Sequence, residues 1–322
     1  MYYDMKGLMD SYDSLYGDMF GYGASPTQAE ICGVDMSDIY QAAAIGVSVN
    51  SEGIKIDYAM TFDAESLPEE LRGSGGRAQA PKDVLEQIPA DALGFVAAAF
   101  PGTSEEDLQA RFDACPDLEE QIEDMEDEFG INLIDLLTWM SGDMAIAVIE
   151  GGSDELAIPI SAFALIGSQD MEAAQDAIEE LVELAEDEGA DLGDEEIEGV
   201  EMQVLEEGGE IIFGYGFTEA YVVLGFLEDG LEAAVASDVE SIADDDTFRH
   251  VQANLPRDSS VYVYLDIEGI WQLVYDNMSE WEQDDFDDNT RPYLEPIKAI
   301  GMGGGGSYDD EYIVFSTFIY IP

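Results

Sequence analysis

Two patterns of hydrophobic and polar residues alternate along the chain. In segments such as 54–62, which follows an Asn/Gly turn at 50–53, every second residue is apolar, a pattern typical of half-buried strands. In segments such as 171–186, apolar residues recur three or four positions apart among carboxylates, which predicts amphipathic helices. Strands joined by hairpins, with helices clustered between them, predict an α+β fold of mainly antiparallel sheets with helices packed on one side.

Applied along the whole chain, the two patterns predict the following elements. The predicted strands, rich in β-branched and aromatic residues, are 42–49, 54–62, 93–100, 144–150, 158–166, 200–205, 210–215, 221–226, a strand within 255–266, and 312–321. The predicted helices are 84–88, 104–115, 117–129, 133–139, 171–186, 231–236, 247–255 and 267–281. Two acidic stretches, 187–198 and 282–290, are predicted to be loops.

One strand entry occurs twice in the sequence. Pro256 and Asp258 precede one predicted strand as Pro89 and Asp91 precede another, and the two prolines stand at positions that differ by 167. The chain is therefore predicted to be built from an internally repeated strand–helices–strand–turn–strand module.

The module pattern also predicts a division of the chain. The predicted units are a partial module of helix plus hairpin at 1–70, a flexible linker at 71–83, a central α+β module at 84–254, and a closing half-module that completes the sheet at 255–322. The linker holds three of the ten cations, so a strap docked over an acidic surface is the alternative. Segment 2–8 is similar to 264–270, where a strand ends and a helix opens, so we expect the chain to start inside a module; a short native strand is the alternative.

Charge, rather than hydrophobicity, sets this composition apart. Apolar residues make up 46% of the 322 residues, but 74 acidic residues stand against 10 basic ones, for a formal net charge of −64. Carboxylates without cationic partners repel one another and depend on solvation or counterions. Adaptation to high salt or divalent cations, solubility of an exported protein and calcium storage all remain open. Nucleic acids and anionic membrane surfaces are disfavoured as partners because both are polyanionic; a protein partner or self-association is possible.

The chain has two cysteines, Cys32 and Cys115, with neither CxxC nor metal-ligand spacing. A bridge between them would close a loop of about 80 residues; two unrelated buried thiols are the alternative. The first residues lack the basic flank and apolar core of a secretory signal, and no apolar run approaches the roughly 18 residues that span a bilayer. We therefore expect the sequence as given to be soluble.

The residue types most often used in catalysis are scarce or unpatterned. The single histidine, His250, argues against histidine-based triads and multi-histidine metal sites. The glycine-rich stretch 301–307 lacks the lysine and the following helix of a phosphate-binding loop, so it is predicted to be a flexible turn or bulge. Trp139, Trp271 and Trp281 lie in predicted helices, which favours core or inter-helix packing over ligand stacking. No catalytic or cofactor-binding residue is assigned.

Carboxylates are too numerous for any catalytic pair to stand out, and no calcium loop of regularly spaced aspartates occurs. Two runs of aspartates could bind Ca²⁺ or another cation weakly; the alternatives are helix capping for the first run and a solvated loop for the second. The predicted metal-binding residues are Asp244, Asp245, Asp246, Asp284, Asp285, Asp287 and Asp288.

Several segments together carry a resemblance to a known family. They are the two Pro-x-Asp strand entries, segment 137–148, the strand 221–226 with its following helix, and the closing strand. On these features, most of 40–322 resembles an uncharacterised bacterial family known only as a domain of unknown function, number thirty-three fifty-two. Its members often look like exported or membrane-anchored envelope proteins, so the resemblance implies an extracellular or cell-envelope location and an N-terminal anchor missing here. It supplies no catalytic residues.

These observations lead to an expected function and two alternatives. We expect a non-enzymatic exported or cell-envelope protein that acts as a structural or binding domain. The first alternative is a divalent-cation-dependent enzyme or carrier that uses clustered carboxylates, which ordered carboxylates around a metal in a cleft would favour. The second is a self-assembling surface-layer subunit, which cation-triggered oligomers would favour.

Overall fold

An antiparallel sheet of thirteen strands organises the protein in the computed structural model. The structure describes residues 2–4, 30–31, 34–35, 39–66, 80–100, 102–115, 122, 132–153, 158–187, 189–236, 239–257, 259–307 and 312–322.

Strands from three predicted units, 1–70, 84–254 and 255–322, contribute to this sheet. The strands are Tyr2–Asp4 (β1), Glu30–Ile31 (β2), Val34–Asp35 (β3), Tyr40–Asn50 (β4), Gly53–Phe62 (β5), Gly94–Phe100 (β6), Met140–Ser153 (β7), Ile158–Ser168 (β8), Leu192–Ile197 (β9), Val200–Glu207 (β10), Glu210–Phe217 (β11), Tyr221–Phe226 (β12), Val261–Asp266 (β13), Ala299–Ser307 (β14) and Tyr312–Tyr320 (β15). The order across the sheet is β1-β4-β5-β15-β14-β13-β6-β7-β8-β12-β11-β10-β9, while β2 and β3 pair separately. Every neighbouring pair is antiparallel, as predicted.

Helices connect the strands at several points along the chain. The α-helices are Lys82–Leu85 (α1), Glu105–Asp113 (α2), Leu133–Thr138 (α3), Met171–Asp187 (α4), Leu227–Val235 (α5), Asp246–Ala253 (α6), Ile267–Asp276 (α7), Glu280–Asn289 (α8) and Arg291–Leu294 (α9), with short 3₁₀ turns at Ala64–Ser66 and Ile242–Asp244. Ser104 caps α2, since its side chain accepts from the backbone N–H of Asp107 at 3.1 Å.

Helices cover both faces of the sheet, which corrects the prediction that they pack on one side. Successive residues of a strand point to opposite faces. Val223 of β12 belongs to the main buried cluster with residues of α5 and α6, whereas its neighbour Val222 packs with Ala174 of α4. At the centre of the sheet, Phe95 contacts α6 and Val96 faces α7 on the opposite side.

An aromatic cluster fixes α6 on the centre of the sheet. The ring of Phe248 lies edge-on to Phe95 and Tyr264, with ring centroids 5.3 and 5.4 Å apart, and to Tyr262 at 6.4 Å. All four side chains are buried, and edge-to-face aromatic pairs add about 0.5–1.5 kcal/mol each to the burial of apolar area.

The glycine-rich stretch predicted to be a turn is part of β14. Gly301 faces α6, and a Cβ there would overlap Val251 of that helix, while Gly303 lies against Leu255 and Ser259, beyond the end of the helix. The glycines therefore serve close packing between helix and strand, a recognised role of glycine within strands.

Three other element predictions need correction. The acidic stretch 187–198, predicted to be a loop, contains β9, and the acidic stretch 282–290 lies almost entirely in α8. The helix predicted over 267–281 is two helices, since α7 ends at Asp276 and α8 begins at Glu280. The predicted helix 117–129 lies outside the described residues apart from Ile122, which is helical and buried, and most of the predicted linker also lies outside them.

The strands β6 and β13, which follow the two Pro-x-Asp sequences, are neighbours at the centre of the sheet. Val96 lies directly opposite Val263, and these positions differ by 167, as the two prolines do. Two residues before Val96, Gly94 lies opposite Leu265, and two residues after it, Ala98 lies opposite Val261. The pairing is therefore symmetric about the pair of Val96 and Val263.

The hairpin of β4 and β5 joins the rest of the sheet through β15, which pairs with β5 along its full length. Midway along this pair, the Ser316 hydroxyl donates to Asp57 Oδ1 at 2.6 Å, and Lys55 Nζ lies 3.1 Å from the same oxygen. Burial acts to raise the pKa of Asp57, but the hydrogen bonds from Ser316 and Lys55 outweigh it, so the pKa lies below its usual value.

Candidate functional site

An apolar cavity lies between the centre of the sheet and α7. Its floor comes from β6, β7 and β13, on the face opposite the aromatic cluster around Phe248. The segment 94–100 is apolar at every position, and strands with this composition are typically covered on both faces. Here α6 and neighbouring elements bury one face, while α7 covers the other only in part.

The floor of the cavity consists of aliphatic side chains that the protein leaves accessible. Val96 is 46% exposed, Ile146 51% and Leu265 39%, and across the sheet Val96 lies between Ile146 and Val263. Single exposed aliphatic residues are common on protein surfaces, but a contiguous group in a concavity is typical of binding sites.

The wall of the cavity is one side of α7. Ile270, Leu273 and Val274 recur at helical spacing and face the sheet, with Met278 just beyond the end of the helix. The cavity is open to solvent on one side, and its volume is about 790 Å³, within the range of roughly 300–1,000 Å³ that small-molecule sites occupy.

One carboxylate, Glu282, lies at the rim of this cavity, and the beginning of α8 fixes its position. Ser279 caps α8, with its backbone N–H donating to Glu282 Oε2 at 2.9 Å and its hydroxyl donating to the same oxygen. These two hydrogen bonds lower the pKa of Glu282, so the rim carries a negative charge at neutral pH.

The helices α7, α8 and α9 hold one another through aromatic contacts. Trp271 of α7 stacks on Phe286 of α8 with ring centroids 6.3 Å apart, and the guanidinium of Arg291 lies 5.3 Å from the Trp271 ring. The packing predicted for Trp139 and Trp271 is confirmed, since both are buried. It is wrong for Trp281, which is 72% exposed.

The first run of predicted metal-binding residues has structural roles at the start of α6. Asp245 is the N-cap and accepts from the backbone N–H of Phe248 at 2.7 Å, the capping role considered as the alternative. Asp244 forms an ion pair with Arg249, and Asp246 is the first residue of the helix.

The second run of predicted metal-binding residues lies along α8 instead of a loop. Asp287 pairs with Arg291 at 3.1 Å and accepts from the Tyr275 hydroxyl at 3.2 Å. Asp285 accepts from Asn289 at 2.8 Å, and the remaining members are Asp284 and Asp288. Within the described ranges, no three or more His, Cys, Asp or Glu side chains are grouped as a metal ion would need.

His250 and Cys115 take part in packing. The imidazole of His250 lies against Tyr320, with ring centroids 4.5 Å apart, and its Nε2 is 3.6 Å from a carboxylate oxygen of Glu52. Cys115, just after α2, is buried and disulfide-bonded; the only other cysteine of the sequence, Cys32, lies outside the described residues.

The cavity was not predicted from the sequence. Two signals were available: the all-apolar sequence of β6, and the row of aliphatic residues along 270–278. They did not reveal that β6 and β13 would be neighbours, which is a contact between distant parts of the chain.

The fold and the cavity define a class: an α+β protein with an extended antiparallel sheet and an apolar cavity at its centre. The model of the family described as "Protein of unknown function (DUF3352)" matches residues 30–314, and the chain belongs to this family, as its sequence features had indicated. Comparison with curated proteins and comparison with solved structures each found no match. In the described part of the chain, no helix has both the length and the apolar character needed to cross a bilayer.

Proposed function

We propose that this protein is a binding domain that holds the apolar chain of an uncharged or cationic amphiphile in its central cavity. The observation that carries the proposal is the cavity of about 790 Å³, whose floor and wall are aliphatic and whose rim carries the fixed carboxylate of Glu282. Burying an alkyl chain there would stabilise the complex by about 0.8 kcal/mol per methylene group.

The negative charge of the protein determines which charge the ligand's head group can carry. The chain carries a net charge of −64, and Glu282 adds a local negative charge where a ligand's polar end would leave the cavity. An anionic head group, such as a fatty-acid carboxylate, would be repelled, whereas an ammonium group would be attracted.

We also propose that the protein works outside the cytoplasm, in the cell envelope or the extracellular space. The disulfide of Cys115 supports this location, since disulfides form and persist mainly in oxidising compartments. The strong negative charge also fits this location. Protein molecules of the same charge repel one another, which keeps them soluble where the salt concentration varies.

We further infer that the sheet arose from a repeated strand–helices–strand–turn–strand module. Support comes from the central pair of strands, where Val96 and Val263 differ by the same 167 positions as Pro89 and Pro256. When equivalent strands of two related modules pair in antiparallel fashion, one residue lies opposite its own counterpart, as Val96 does with Val263. The two modules would then face each other across an approximate two-fold axis, which passes through the floor of the cavity.

The binding proposal is tested by calorimetric titration with three ligands of equal alkyl length: decyltrimethylammonium, decanol and decanoate. In about 0.15 M KCl the Debye length is about 8 Å, which screens distant surface charges but leaves Glu282 at the rim effective, so we expect one saturable site for the first two and none for decanoate. Val96→Phe fills the floor and should weaken binding by at least about tenfold, or about 1.4 kcal/mol. Val47→Phe makes the same change on β4, at a side chain that is 66% exposed outside the cavity, and should have no effect.

Two results would overturn the proposal. One is the absence of saturable binding of decyltrimethylammonium below its micelle concentration and of decanol below its solubility limit. The other is equal binding by the Val96→Phe and Val47→Phe variants, which would place any bound amphiphile elsewhere on the surface.

A further inference from the structure

The segment that carries α7, α8 and α9 leaves the sheet and returns to it at a single place. The strand before it, β13, ends at Asp266, and the strand after it, β14, begins at Ala299, directly opposite Asp266 in the sheet. Beside this pair, the backbone N–H groups of Ile267 and Glu268 both donate to the carbonyl of Lys298, at 3.0 and 3.2 Å. The three helices are therefore joined to the sheet through one short hinge.

The helices of this segment share a small core of their own. The rings of Tyr275 and Phe286 have centroids 5.8 Å apart, beside the stacked pair of Trp271 and Phe286. The guanidinium of Arg291 lies 5.3 Å from the Trp271 ring and 5.8 Å from the Tyr275 ring. In the described structure, every hydrogen bond and ion pair made by a side chain of this segment stays within it. The three helices are thus built to move as one body.

Burial shows the same separation between these helices and the sheet. Among the described residues of α7, α8 and α9, only Trp271 and Phe286 are buried, and neither belongs to the buried clusters that pack the sheet. By contrast, Phe248 and Val251 of α6 lie in the main cluster. The aliphatic side of α7 faces the cavity, where Val274 is 47% exposed. Little apolar burial would therefore be lost if the segment moved away from the sheet.

One buried polar group in this segment is unsatisfied. The indole Nε1–H of Trp271 is buried and has no hydrogen-bond partner among the residues described, although buried polar groups are nearly always paired. An unpaired buried donor destabilises the arrangement that buries it. A second position of the segment that lets water reach the indole would relieve this cost, so the indole supports movement of the helices independently of the cavity.

We propose that residues 267–298 form a lid, which opens about the hinge to admit an alkyl chain to the central cavity and closes on the chain once it is bound. On closing, the aliphatic residues of α7 cover the chain, so apolar burial holds the lid shut. The same movement brings Glu282 to the head group. The ion pair of Lys298 with Glu268, 2.6 Å long, spans the hinge and stays intact in both positions. This lid rests on the proposed binding function, because it controls access to the same cavity.

The test is pulsed EPR, which measures the distance between two nitroxide labels on introduced cysteines. One protein carries Trp281→Cys on the lid and Val47→Cys on β4 of the sheet. The matched control carries Trp281→Cys and Tyr293→Cys, both on the lid. The three replaced side chains are 72%, 66% and 77% exposed, so the substitutions should leave the fold intact, and no described cysteine is free to take a label.

In the free protein we expect a broad distribution of distances between lid and sheet and a narrow one within the lid. Saturating decyltrimethylammonium or decanol should narrow the lid–sheet distribution and shift its mean by about 2 Å or more, as in other hinge closures. Both ligands should leave the distribution within the lid unchanged. Decanoate should change neither distribution, since it is not expected to bind.

Calorimetry on the same labelled proteins separates failure of the lid from failure of the binding proposal. A lid–sheet distribution that is narrow in the free protein, or that a bound amphiphile leaves unchanged, would overturn the lid while binding still stands. A change in both distributions on binding would also overturn it, because the helices would then rearrange separately. A broad lid–sheet distribution without any amphiphile binding would support the moving lid and overturn the amphiphile as its ligand.

Discussion

At the residue scale, Gly301 sets how closely α6 approaches the sheet. A Cβ at this position would overlap Val251, one of the fully buried residues of α6, and would come within 3.5 Å of Leu255. Helix and strand can meet at this distance only because the strand has no side chain there. The aromatic contacts of Phe248 depend on the same close approach.

Gly301→Ala should therefore destabilise the protein by about 1–3 kcal/mol, the usual cost of overpacking a core. The measurement is urea unfolding followed by circular dichroism. Gly193→Ala is the control, because Gly193 lies in β9 with open space around the added Cβ. Its stability should be unchanged or slightly raised, since alanine restricts the unfolded chain more than glycine does. Equal losses in both variants would show that backbone effects, not contact with α6, govern the Gly301 position.

At the element scale, α8 forms a helix although its amino-acid composition disfavours one. Its sequence is rich in Asp and Asn, which compete for backbone hydrogen bonds and are poor helix formers. Two contacts outweigh that cost: the capping box of Ser279 with Glu282, and the packing of Phe286 on Trp271.

Ser279→Ala should destabilise the first turn of α8 by about 1 kcal/mol, the typical cost of losing an N-cap. Hydrogen exchange of the amides at 280–283 should then be about fivefold faster, because 1 kcal/mol corresponds to that factor in a local opening equilibrium. The variant should also bind decyltrimethylammonium less tightly while binding decanol as before, since only the charged ligand needs a fixed Glu282. A Ser48→Ala variant on the exposed side of β4 should change neither property. Unchanged exchange in the Ser279→Ala variant would mean that packing alone holds this turn.

Elements with strong local patterns could be predicted from the sequence. The hairpin of β4 and β5 alternates in hydrophobicity around an Asn/Gly turn, and α4 has one continuous apolar side, so local residues decide both. The strand β9 could not be predicted, since its sequence Leu-Gly-Asp-Glu-Glu-Ile is depleted in strand formers and becomes a strand only by pairing with β10. The cavity could not be predicted for a similar reason, because its floor exists only once β6 and β13 are neighbours.

At the scale of the whole molecule, the net charge of −64 adds a repulsion that opposes the compact state. It reaches into the sheet itself: Glu196 of β9 lies directly opposite Glu201 of β10. Like charges in such a pair are destabilising, and β9 lies at the edge of the sheet, where only one neighbouring strand holds it.

The melting temperature should therefore rise steeply as KCl increases from about 10 mM to about 2 M, because the Debye length falls from about 30 Å to below 3 Å and the carboxylates cease to repel one another. Hydrogen exchange at low salt should be fastest in β9, where the charge density is high and the strand has a free edge. A parallel melt with millimolar CaCl₂ at fixed ionic strength separates screening from specific binding: we expect little added stability, since the described carboxylates form no compact metal site. A melting temperature that does not change with KCl would show that the carboxylates are already solvated without strain. A large rise with calcium alone would instead mean that specific cation sites hold the fold together.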